Sequence, residues 1–479
     1  MNYFISILFC ILFLKSGFSH DNNSFSNSPN VILILADDLG YGDLSCYGQT
    51  KFQTPNIDAL TKDGMLFTQH YSGAPVCAPS RAAILTAKHI GHTTIRGNKK
   101  GNKYGDFPLS EYDTTLTQLF KSRNYTTGVF GKWGVGYPGS SGDISKKGVD
   151  VFFGYYSQLA AHNYYPEMLW SNDKKVFIPE NKRYGNKVYA PNMIHDSVMI
   201  FLERNKNNPF FLYIPTIIPH AELVPPDSLT KKYKNLYGTE KPYKGIKTIR
   251  FATKYGAYGK QLYPKAAYAA MMELLDKQVR EIVAKLKEEK IYNNTIIIFT
   301  SDNGAHKEGG AQPDFFNSNN GLRGYKRDLY EGGIRIPLIV HWPDKINKGS
   351  TPIISANWDI MPTLAEIIQA PMPTNTDGIS LCPTLFQLPE KQTQHPYLYW
   401  EFHENGGKQA IRMGKWKVIK LNVNSPYKST IELYDLDNDV AESNNLAEKH
   451  PEIVKQLLDL MNIAHTPNKF FSFRNDRYR

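Results

Sequence analysis

The stretch Asn30-Val-Ile-Leu-Ile-Leu-Ala-Asp-Asp-Leu-Gly40 decides the fold. Its apolar part, residues 31–35, is a short run that stops at acidic residues and glycine, which is typical of a buried strand. Further strand-like runs follow at residues 127–130, 210–214, 295–300 and 338–340. Helical patterns lie between and after them, at 56–64, 80–87, 266–289 and 359–370. Alternating strands and helices predict an α/β fold in which helices cover both faces of one sheet.

The pattern changes after about residue 385. Short strand-like segments follow one another at 397–401, 409–413, 416–421 and 432–436, and a helical pattern occupies 451–464. We therefore expect a small antiparallel sheet with one helix, and divide the chain into a main domain at 29–385 and a C-terminal subdomain at 386–479. Residues 229–265 carry many lysines and tyrosines with little periodicity. They predict a long surface insertion, and such insertions often contact substrates.

The N-terminal segment predicts export. Residues 1–19 form a short apolar run that ends in small and polar residues, which fits a cleaved signal peptide better than a membrane span. An uncleaved anchor is the alternative. We expect a periplasmic or secreted protein without a stable membrane span.

Charge and cysteine content narrow the function. The net charge of +11 suits an anionic partner, either nucleic acid or a sulfated polysaccharide, and no nucleic-acid-binding motif is present. Beyond the N-terminal run the cysteines are Cys46, Cys77 and Cys382. An odd number leaves at least one unpaired, so a reactive or modified cysteine is expected.

Two acidic pairs stand at predicted strand ends. Asp37 and Asp38 follow the strand at 31–35, and Asp302 and Asn303 follow the strand at 295–300. The ends of parallel strands meet at one edge of a sheet, where these carboxylates would repel one another without a cation. Oxygen ligands suit calcium or magnesium rather than zinc. One such pair alone would indicate a helix cap or turn, but two pairs at equivalent strand ends favour a metal site.

The pentapeptide Cys77-Ala-Pro-Ser-Arg81 stands at the start of a predicted helix, where the helix dipole favours an anion. It resembles the maturation signature of type I, formylglycine-dependent sulfatases. Blocks similar to those of this family follow in the expected order across nearly the whole chain: Asp37-Asp38-Leu-Gly40, Gly131-Lys132-Trp133, Ser301-Asp302-Asn303-Gly304 and Glu331-Gly-Gly-Ile-Arg335. The pattern is most similar to arylsulfatase-like and N-acetylgalactosamine-sulfatase-like enzymes of an exported bacterial carbohydrate sulfatase branch.

The resemblance implies an alkaline-phosphatase-like fold, with a mixed sheet sandwiched by helices and the catalytic domain at 29–385. It implies that a maturation enzyme oxidises Cys77 to formylglycine, whose hydrated gem-diol attacks the sulfur of a sulfate ester. It also implies one bound Ca²⁺. The matching ligands are Asp37, Asp38, Asp302, Asn303 and the modified Cys77.

The resemblance assigns four further catalytic residues. Arg81, one helical turn after Cys77, orients the diol. Lys132 and Lys326 bind the sulfate group, and His220 is the general acid that protonates the leaving oxygen.

One position departs from the family pattern. Many relatives carry histidine directly after Gly-Lys-Trp, where this chain has Gly134. Histidines that could take over its role are His89, His92, His162 and His306, and we assign His162 to the site because Ala161-His162-Asn-Tyr-Tyr-Pro166 is also similar to the exported bacterial branch.

The expected substrate is a sulfated galactose or N-acetylgalactosamine unit of a polysaccharide or glycosaminoglycan, with the 4 position as the first hypothesis. The predicted substrate-binding residues are His92, Arg96, His162 and His306. Two alternatives stay open, a phosphate or phosphonate ester hydrolase of the same superfamily and a non-catalytic glycan-binding relative. The first would need extra zinc ligands and the second damaged motifs, and the sequence shows neither.

Overall fold

The computed structural model of the protein describes residues 28–184, 186–245 and 258–474. The predicted signal peptide at 1–19 lies outside these residues. In the described part the main sheet has ten strands, in the order β10-β2-β9-β8-β1-β7-β3-β4-β5-β6. Their bounds are β1 Asn30–Ala36, β2 Gly64–Tyr71, β3 Thr126–Lys132, β4 Val151–Tyr155, β5 Met168–Ser171, β6 Lys174–Phe177, β7 Phe210–Pro215, β8 Thr295–Ser301, β9 Arg335–His341 and β10 Gly349–Ala356.

The sheet is mixed. Its centre is parallel, because β8, β1, β7, β3 and β4 all run in the same direction. Antiparallel pairs flank this centre, namely β2 with β9, β8 with β9, β4 with β5 and β5 with β6. The carboxyl ends of the central strands therefore meet at one edge of the sheet, where ligands bind in open α/β sheets.

Helices cover both faces of the sheet. In β1, Ile32 and Ile34 pack into one apolar cluster, whereas Val31, Leu33 and Leu35 pack into another on the opposite face. A strand buried on both faces is apolar throughout, which explains the continuous run at 31–35. The helices are α1 Pro55–Ala59, α2 Cys77–Thr86, α3 Leu116–Lys121, α4 Ala190–Asn205, α5 Asp227–Tyr233, α6 Pro264–Glu288, α7 Pro313–Phe316, α8 Glu331–Ile334, α9 Ile360–Ile367, α10 Cys382–Leu385 and α11 Pro451–Ala464.

A small antiparallel sheet follows the main one, as the sequence predicts. It has the order β11-β12-β13-β14, with β11 Leu398–Phe402, β12 Lys408–Met413, β13 Trp416–Leu421 and β14 Thr430–Asp435, and α11 packs on it. Lys417 of β13 lies 2.8 Å from Glu331 and 2.9 Å from Glu442, and all three side chains are fully buried. This cluster joins the small sheet to α8 of the main part. The division at residue 385 stays a prediction.

Two further observations concern the cysteines and the helices of the described residues. Cys46, Cys77 and Cys382 are all free, so none is held in a disulfide. No helix within the described residues has the length and apolar character needed to cross a membrane.

Candidate active site

The two acidic pairs meet at the edge of the sheet. Because β1 and β8 pair in parallel with Ala36 opposite Ser301, the residues that follow each strand emerge side by side. The backbone N–H of Asp38 donates to Asp302 Oδ1 at 3.0 Å, and Asn303 Nδ2 donates to Asp38 Oδ1 at 2.7 Å. The four side chains of Asp37, Asp38, Asp302 and Asn303 are buried.

Three buried cationic side chains face these three carboxylates. Lys132 Nζ lies 2.7 Å from Asp37, and Lys326 Nζ lies 2.7 Å from Asp38. Arg81 lies 2.7 Å from Asp302. Each of the three carboxylates is therefore paired with one cationic side chain of the protein. Isolated charges at this depth would be strongly unfavourable, and pairing is what makes their burial tolerable.

The elements of the sheet set the positions of these cations. Lys132 is the last residue of β3, so its side chain leaves the sheet at the same edge as the acidic pairs. Arg81 lies one turn into α2 and also donates to the backbone oxygen of Lys132 at 3.0 Å. Lys326 comes from the loop before α8, and its backbone N–H donates to Ala305 O at 2.8 Å.

The oxygen donors fit a divalent cation. Burial and the neighbouring charge of Asp37 raise the pKa of Asp302 to about 7, which shows that the carboxylates are crowded. Asn303 Oδ1 is buried and has no hydrogen-bond partner among the described residues. A hard cation would stabilise the ionised carboxylate of Asp302 and give Asn303 Oδ1 a partner. Three carboxylates with one amide oxygen suit calcium or magnesium.

Cys77 lies directly above the acidic pairs. It is the first residue of α2, and its Sγ lies 3.5 Å from Asp37 Oδ1 and 3.9 Å from Asp38 Oδ1. Val76, which precedes the helix, provides no side-chain cap. Burial raises the pKa of the Cys77 thiol, against the opposing effect of Lys132 and Lys326. The unmodified side chain therefore keeps its proton and is a poor nucleophile.

His220 forms a pair with Lys326. Its Nδ1 is hydrogen-bonded to the backbone oxygen of Ala221, which can only accept, so Nδ1 carries the proton. Nε2 then accepts from Lys326 Nζ at 3.0 Å and lies 3.2 Å from Asp38 Oδ2. Burial and the charge of Lys326 hold the pKa of His220 well below its usual value. His220 is thus a neutral imidazole beside a protonated lysine.

A cavity of about 370 Å³ opens above Cys77, within the size range of ligand pockets. His162 lines it and stacks on His220, with the ring centroids 4.4 Å apart. The Nδ1 atom of His162 is buried without a partner among the described residues. Other lining residues are Asn98, Lys100, Asp106, Gln158, Tyr258 and Arg327.

Comparison with known proteins identifies the family. The family model described as Sulfatase matches residues 29–370, well over half of the chain, and the model described as N-sulphoglucosamine sulphohydrolase, C-terminal, matches residues 323–466. The chain belongs to the sulfatase family. It is a sulfuric ester hydrolase, as the motif around Cys77 predicts.

The alignments of this sulfatase with named relatives cover nearly the whole chain. It is 29% identical to an N-acetylgalactosamine-6-O-sulfatase of Bacteroides thetaiotaomicron, covering 93% of this chain and 95% of the relative. It is also 29% identical to human arylsulfatase A, covering 90% and 87%. The structure of Ps i-CgsB in complex with k-i-k-neocarrahexaose matches with a TM-score of 0.77 and 26% identity, over 94% of this chain and 96% of that one. The predicted alkaline-phosphatase-like fold is confirmed.

The side chain of Gln158 lies beside Gly134, the position at which the sequence lacks the expected histidine. Gly134 has a φ of +72°, and a Cβ built there would come 2.0 Å from Gln158 Nε2. Gln158 thus occupies the space that a side chain at position 134 would enter, and its Oε1 is buried without a partner among the described residues. No sequence pattern points to Gln158, because its proximity to Gly134 is visible only in three dimensions.

The structure does not bring all predicted substrate-binding residues to the cavity. His92 lies outside it and hydrogen-bonds to Asp377 at 2.9 Å. His306 is buried behind His220, with Nε2 3.4 Å from Pro219 O and Nδ1 accepting from the backbone of Glu308. Only His162 of the four lines the cavity.

Arg96 is held between the main sheet and the small sheet. Its guanidinium pairs with Glu401 of β11 at 3.1 Å and donates to Thr466 O at 2.6 Å and to Gly91 O at 2.5 Å. Arg96 and Glu401 are both buried. With its donors used by protein groups, Arg96 has a structural position, and we do not carry it into the proposed site.

Replacing Arg96 with alanine should therefore affect stability rather than sugar recognition. It leaves Glu401 buried without its arginine partner, which costs about 3–5 kcal/mol of unfolding free energy. Urea unfolding of the variant measures this loss. The control is Lys121→Ala, which breaks the exposed pair of Lys121 with Asp150 and should cost about 0–1 kcal/mol. Normal stability combined with weaker saccharide binding would return Arg96 to the substrate site.

Proposed function

We propose that this sulfatase hydrolyses sulfate esters on a galactose or N-acetylgalactosamine unit of a polysaccharide or glycosaminoglycan. The observation that carries the proposal is the meeting of Cys77 with three carboxylates and three buried cations at the floor of the cavity. The N-acetylgalactosamine-6-O-sulfatase of Bacteroides thetaiotaomicron supports the sugar class, because the two chains align over nearly their full lengths.

The nucleophile of the proposed reaction is formylglycine at residue 77, formed by a maturation enzyme that acts on the Cys77-Ala-Pro-Ser-Arg81 motif. The buried, protonated thiol is a poor nucleophile, so a chemical change at this position is needed for attack on sulfur. Arg81, one helical turn further on and anchored to Asp302, orients the modified side chain.

The ligands that would hold one Ca²⁺ are Asp37, Asp38, Asp302 and Asn303, with the modified residue 77 beside them. When bound, the ion would stabilise negative charge on the attacking and sulfuryl oxygens. Because Lys132, Lys326 and Arg81 pair with Asp37, Asp38 and Asp302, a divalent ion held here would supply positive charge for a sulfate monoester and a deprotonated attacking oxygen. Lys132 and Lys326 bind the sulfuryl oxygens.

The leaving alcohol needs a proton, and the His220–Lys326 pair holds one. Lys326 Nζ donates to His220 Nε2 at 3.0 Å, so the proton lies between two nitrogens beside the cavity. In the proposed step His220 Nε2 takes this proton from Lys326 and passes it to the leaving oxygen, which leaves Lys326 neutral and avoids expulsion of an unstable sugar alkoxide. His162, stacked on His220, and Gln158, beside Gly134, carry unpaired polar atoms and contact the sugar hydroxyls.

Calcium should stabilise the protein as well as activate it. The proposed ligands come together only in the folded chain, so calcium stabilises the folded state, and chelation with EGTA should lower the melting temperature and stop sulfate release. Calcium at about 100 times its Kd should add about 2.7 kcal/mol of stability. Thermal unfolding with calcium, magnesium or zinc at matched concentrations measures the effect. A larger shift with zinc than with calcium would contradict the assignment of oxygen ligands.

Sulfate release from a defined panel tests the function. The panel contains N-acetylgalactosamine 4-sulfate and 6-sulfate, galactose 6-sulfate, carrageenan oligosaccharides and an aryl sulfate, with the matching aryl phosphate as comparison. We expect the galacto-configured sulfates to be hydrolysed fastest. A faster reaction on the aryl phosphate would overturn the proposal in favour of a phosphate ester hydrolase. Glycan binding without turnover by fully converted enzyme would favour a non-catalytic relative.

We also propose that the enzyme is exported to the periplasm or secreted. The support is the apolar run at residues 1–19 of the sequence. N-terminal sequencing of the protein from its native host tests this, and an intact N-terminus at Met1 would contradict cleavage.

A further inference from the structure

Residues 258–261, within the insertion predicted at 229–265, are held beside the cavity by hydrogen bonds to other segments. The backbone N–H of Gly259 donates to Glu222 Oε1 at 2.8 Å. Two residues later, the backbone groups of Gln261 and Tyr243 exchange hydrogen bonds of 2.8 and 3.1 Å. These contacts fix the backbone that follows Tyr258 in the chain.

Tyr258 lies against the residues of the proposed site. It lines the same cavity as Cys77 and His162, and its ring centroid is 5.5 Å from that of His162 and 6.2 Å from that of His220. Its hydroxyl donates to Glu308 Oε2 at 2.7 Å. The ring is thus held at one end by its hydroxyl and at the other by the anchored backbone of Gly259.

Glu308 is itself fixed by cations. Lys326 Nζ lies 3.3 Å from Glu308 Oε2, and Arg327 pairs with Glu308 Oε1. These charges hold the pKa of Glu308 well below its usual value despite burial, so the carboxylate is ionised and a strong acceptor. A hydrogen bond to an ionised acceptor is stronger than one between neutral groups. The orientation of the Tyr258 ring is therefore set before any ligand enters.

The other residues around the cavity include both polar and apolar side chains. Asn98, Lys100, Asp106, Gln158 and Arg327 line it with polar groups, and Leu159 lines it together with Tyr258. A sugar presents hydroxyl groups at its rim and C–H groups on its faces. Ligand pockets match this by combining aromatic walls with a few placed polar groups.

We propose that Tyr258 is a specificity-determining residue whose ring is the wall on which the sugar ring of the substrate rests. Glu222 is the positioning residue that holds this wall through Gly259. The inference rests on the proposed carbohydrate substrate and deepens it, because it places the sugar ring against the Tyr258 ring at the wall of the cavity.

Binding measurements separate this role from a general loss of structure. The Cys77→Ala background prevents turnover, and calorimetry with calcium present gives the Kd of N-acetylgalactosamine 6-sulfate and of inorganic sulfate. Tyr258→Ala should raise the Kd of the sugar sulfate by about tenfold or more relative to that of inorganic sulfate, the scale of a lost pocket contact. Tyr258→Phe keeps the ring and should cost less. Leu262→Ala, at a half-exposed site in the same segment, is the matched control.

Variants of Glu222 test the positioning. Glu222→Gln keeps an oxygen that accepts from Gly259 and should bind as the parent does, whereas Glu222→Leu should weaken sugar binding as Tyr258→Ala does. The proposal would be overturned if Tyr258→Ala raised the Kd of the sugar sulfate and of inorganic sulfate by the same factor. It would also be overturned if Tyr258→Phe bound the sugar sulfate as weakly as Tyr258→Ala does. A parent protein that binds the sugar sulfate no tighter than inorganic sulfate would overturn it too. If the parent protein with Cys77 converted released no sulfate from any sugar sulfate, the proposed function would be wrong, whereas the binding measurements would still test the role of Tyr258.

Discussion

Replacing Cys77 with alanine should abolish multiple-turnover sulfate release. Loss of a nucleophile that acts as one unit with its neighbours lowers kcat on the order of 10⁴- to 10⁶-fold. The fold should survive, because Cys77 is at the first turn of α2 and the ion pairs of Asp37, Asp38 and Asp302 do not depend on its sulfur. Sulfate release under saturating substrate and calcium measures the loss, and thermal unfolding checks the fold.

The other free cysteines provide matched controls. Cys382 is also buried and also the first residue of a helix, and Cys46 is half-buried. Alanine at either position should leave sulfate release within about threefold of the parent, since neither lines the cavity. Cys77→Ser should also fail, because a serine has one hydroxyl and none remains to expel sulfate after attack on sulfur.

Mass spectrometry of the peptide containing Cys77 completes the test. In active protein the thiol of Cys77 should be replaced by an aldehyde, whereas Cys46 and Cys382 should stay as thiols. Active enzyme with an unmodified Cys77, or Cys77→Ala with ordinary turnover, would remove formylglycine from the mechanism.

The floor of the site is predictable from the sequence for a physical reason. Asp37 and Asp302 each follow an apolar run, and neighbouring parallel strands end at one edge of a sheet. Short-range pattern therefore fixes their positions. The same holds for Lys132, the last residue of β3.

The rim of the cavity is not predictable in this way. Gln158 meets Gly134 and Tyr258 meets Glu308 through contacts between segments distant in sequence, and neither has a local pattern. Arg96 illustrates the same point. Its place after the Cys77 helix predicts that it lies at the cavity, whereas its partner Glu401 comes from the small sheet. This contact joins residues 305 positions apart, and no local signal reports it.

The strand pattern also explains which elements the sequence missed. The central strands β1, β3, β7 and β8 are buried almost throughout, and the sequence predicts each of them to within two residues at both ends. At the edge, β6 is mostly exposed and reads Lys-Lys-Val-Phe, so it lacks a continuous apolar run. Helix α2 begins three residues before the predicted residue 80, because Cys77 and Ala78 join the first turn ahead of Pro79.

Replacing His220 with asparagine should lower kcat strongly on sugar sulfates and less on aryl sulfates. Removing a general acid costs on the order of 10²- to 10⁴-fold when the leaving group is an alkoxide. An aryl sulfate with a nitrophenol leaving group departs as a stable anion and needs little protonation. The loss on this substrate should be smaller than on the sugar sulfate by about tenfold or more. Parallel kcat measurements on both substrates with the calcium-loaded variant give the comparison.

The pairing of His220 with Lys326 makes this prediction sharper. The two side chains are proposed to deliver one proton together. The extra loss of kcat on the sugar sulfate relative to the aryl sulfate should therefore be similar for His220→Asn and for the double variant with Lys326→Met, because groups that act as a unit are not additive. Lys326→Met alone should lower kcat on both the sugar sulfate and the aryl sulfate, since Lys326 also binds the sulfuryl oxygens. His195→Asn is the control, because His195 pairs with Glu281 and does not line the cavity above Cys77. Equal losses on the sugar and aryl sulfates for His220→Asn would show that His220 shapes the site without protonating the leaving group.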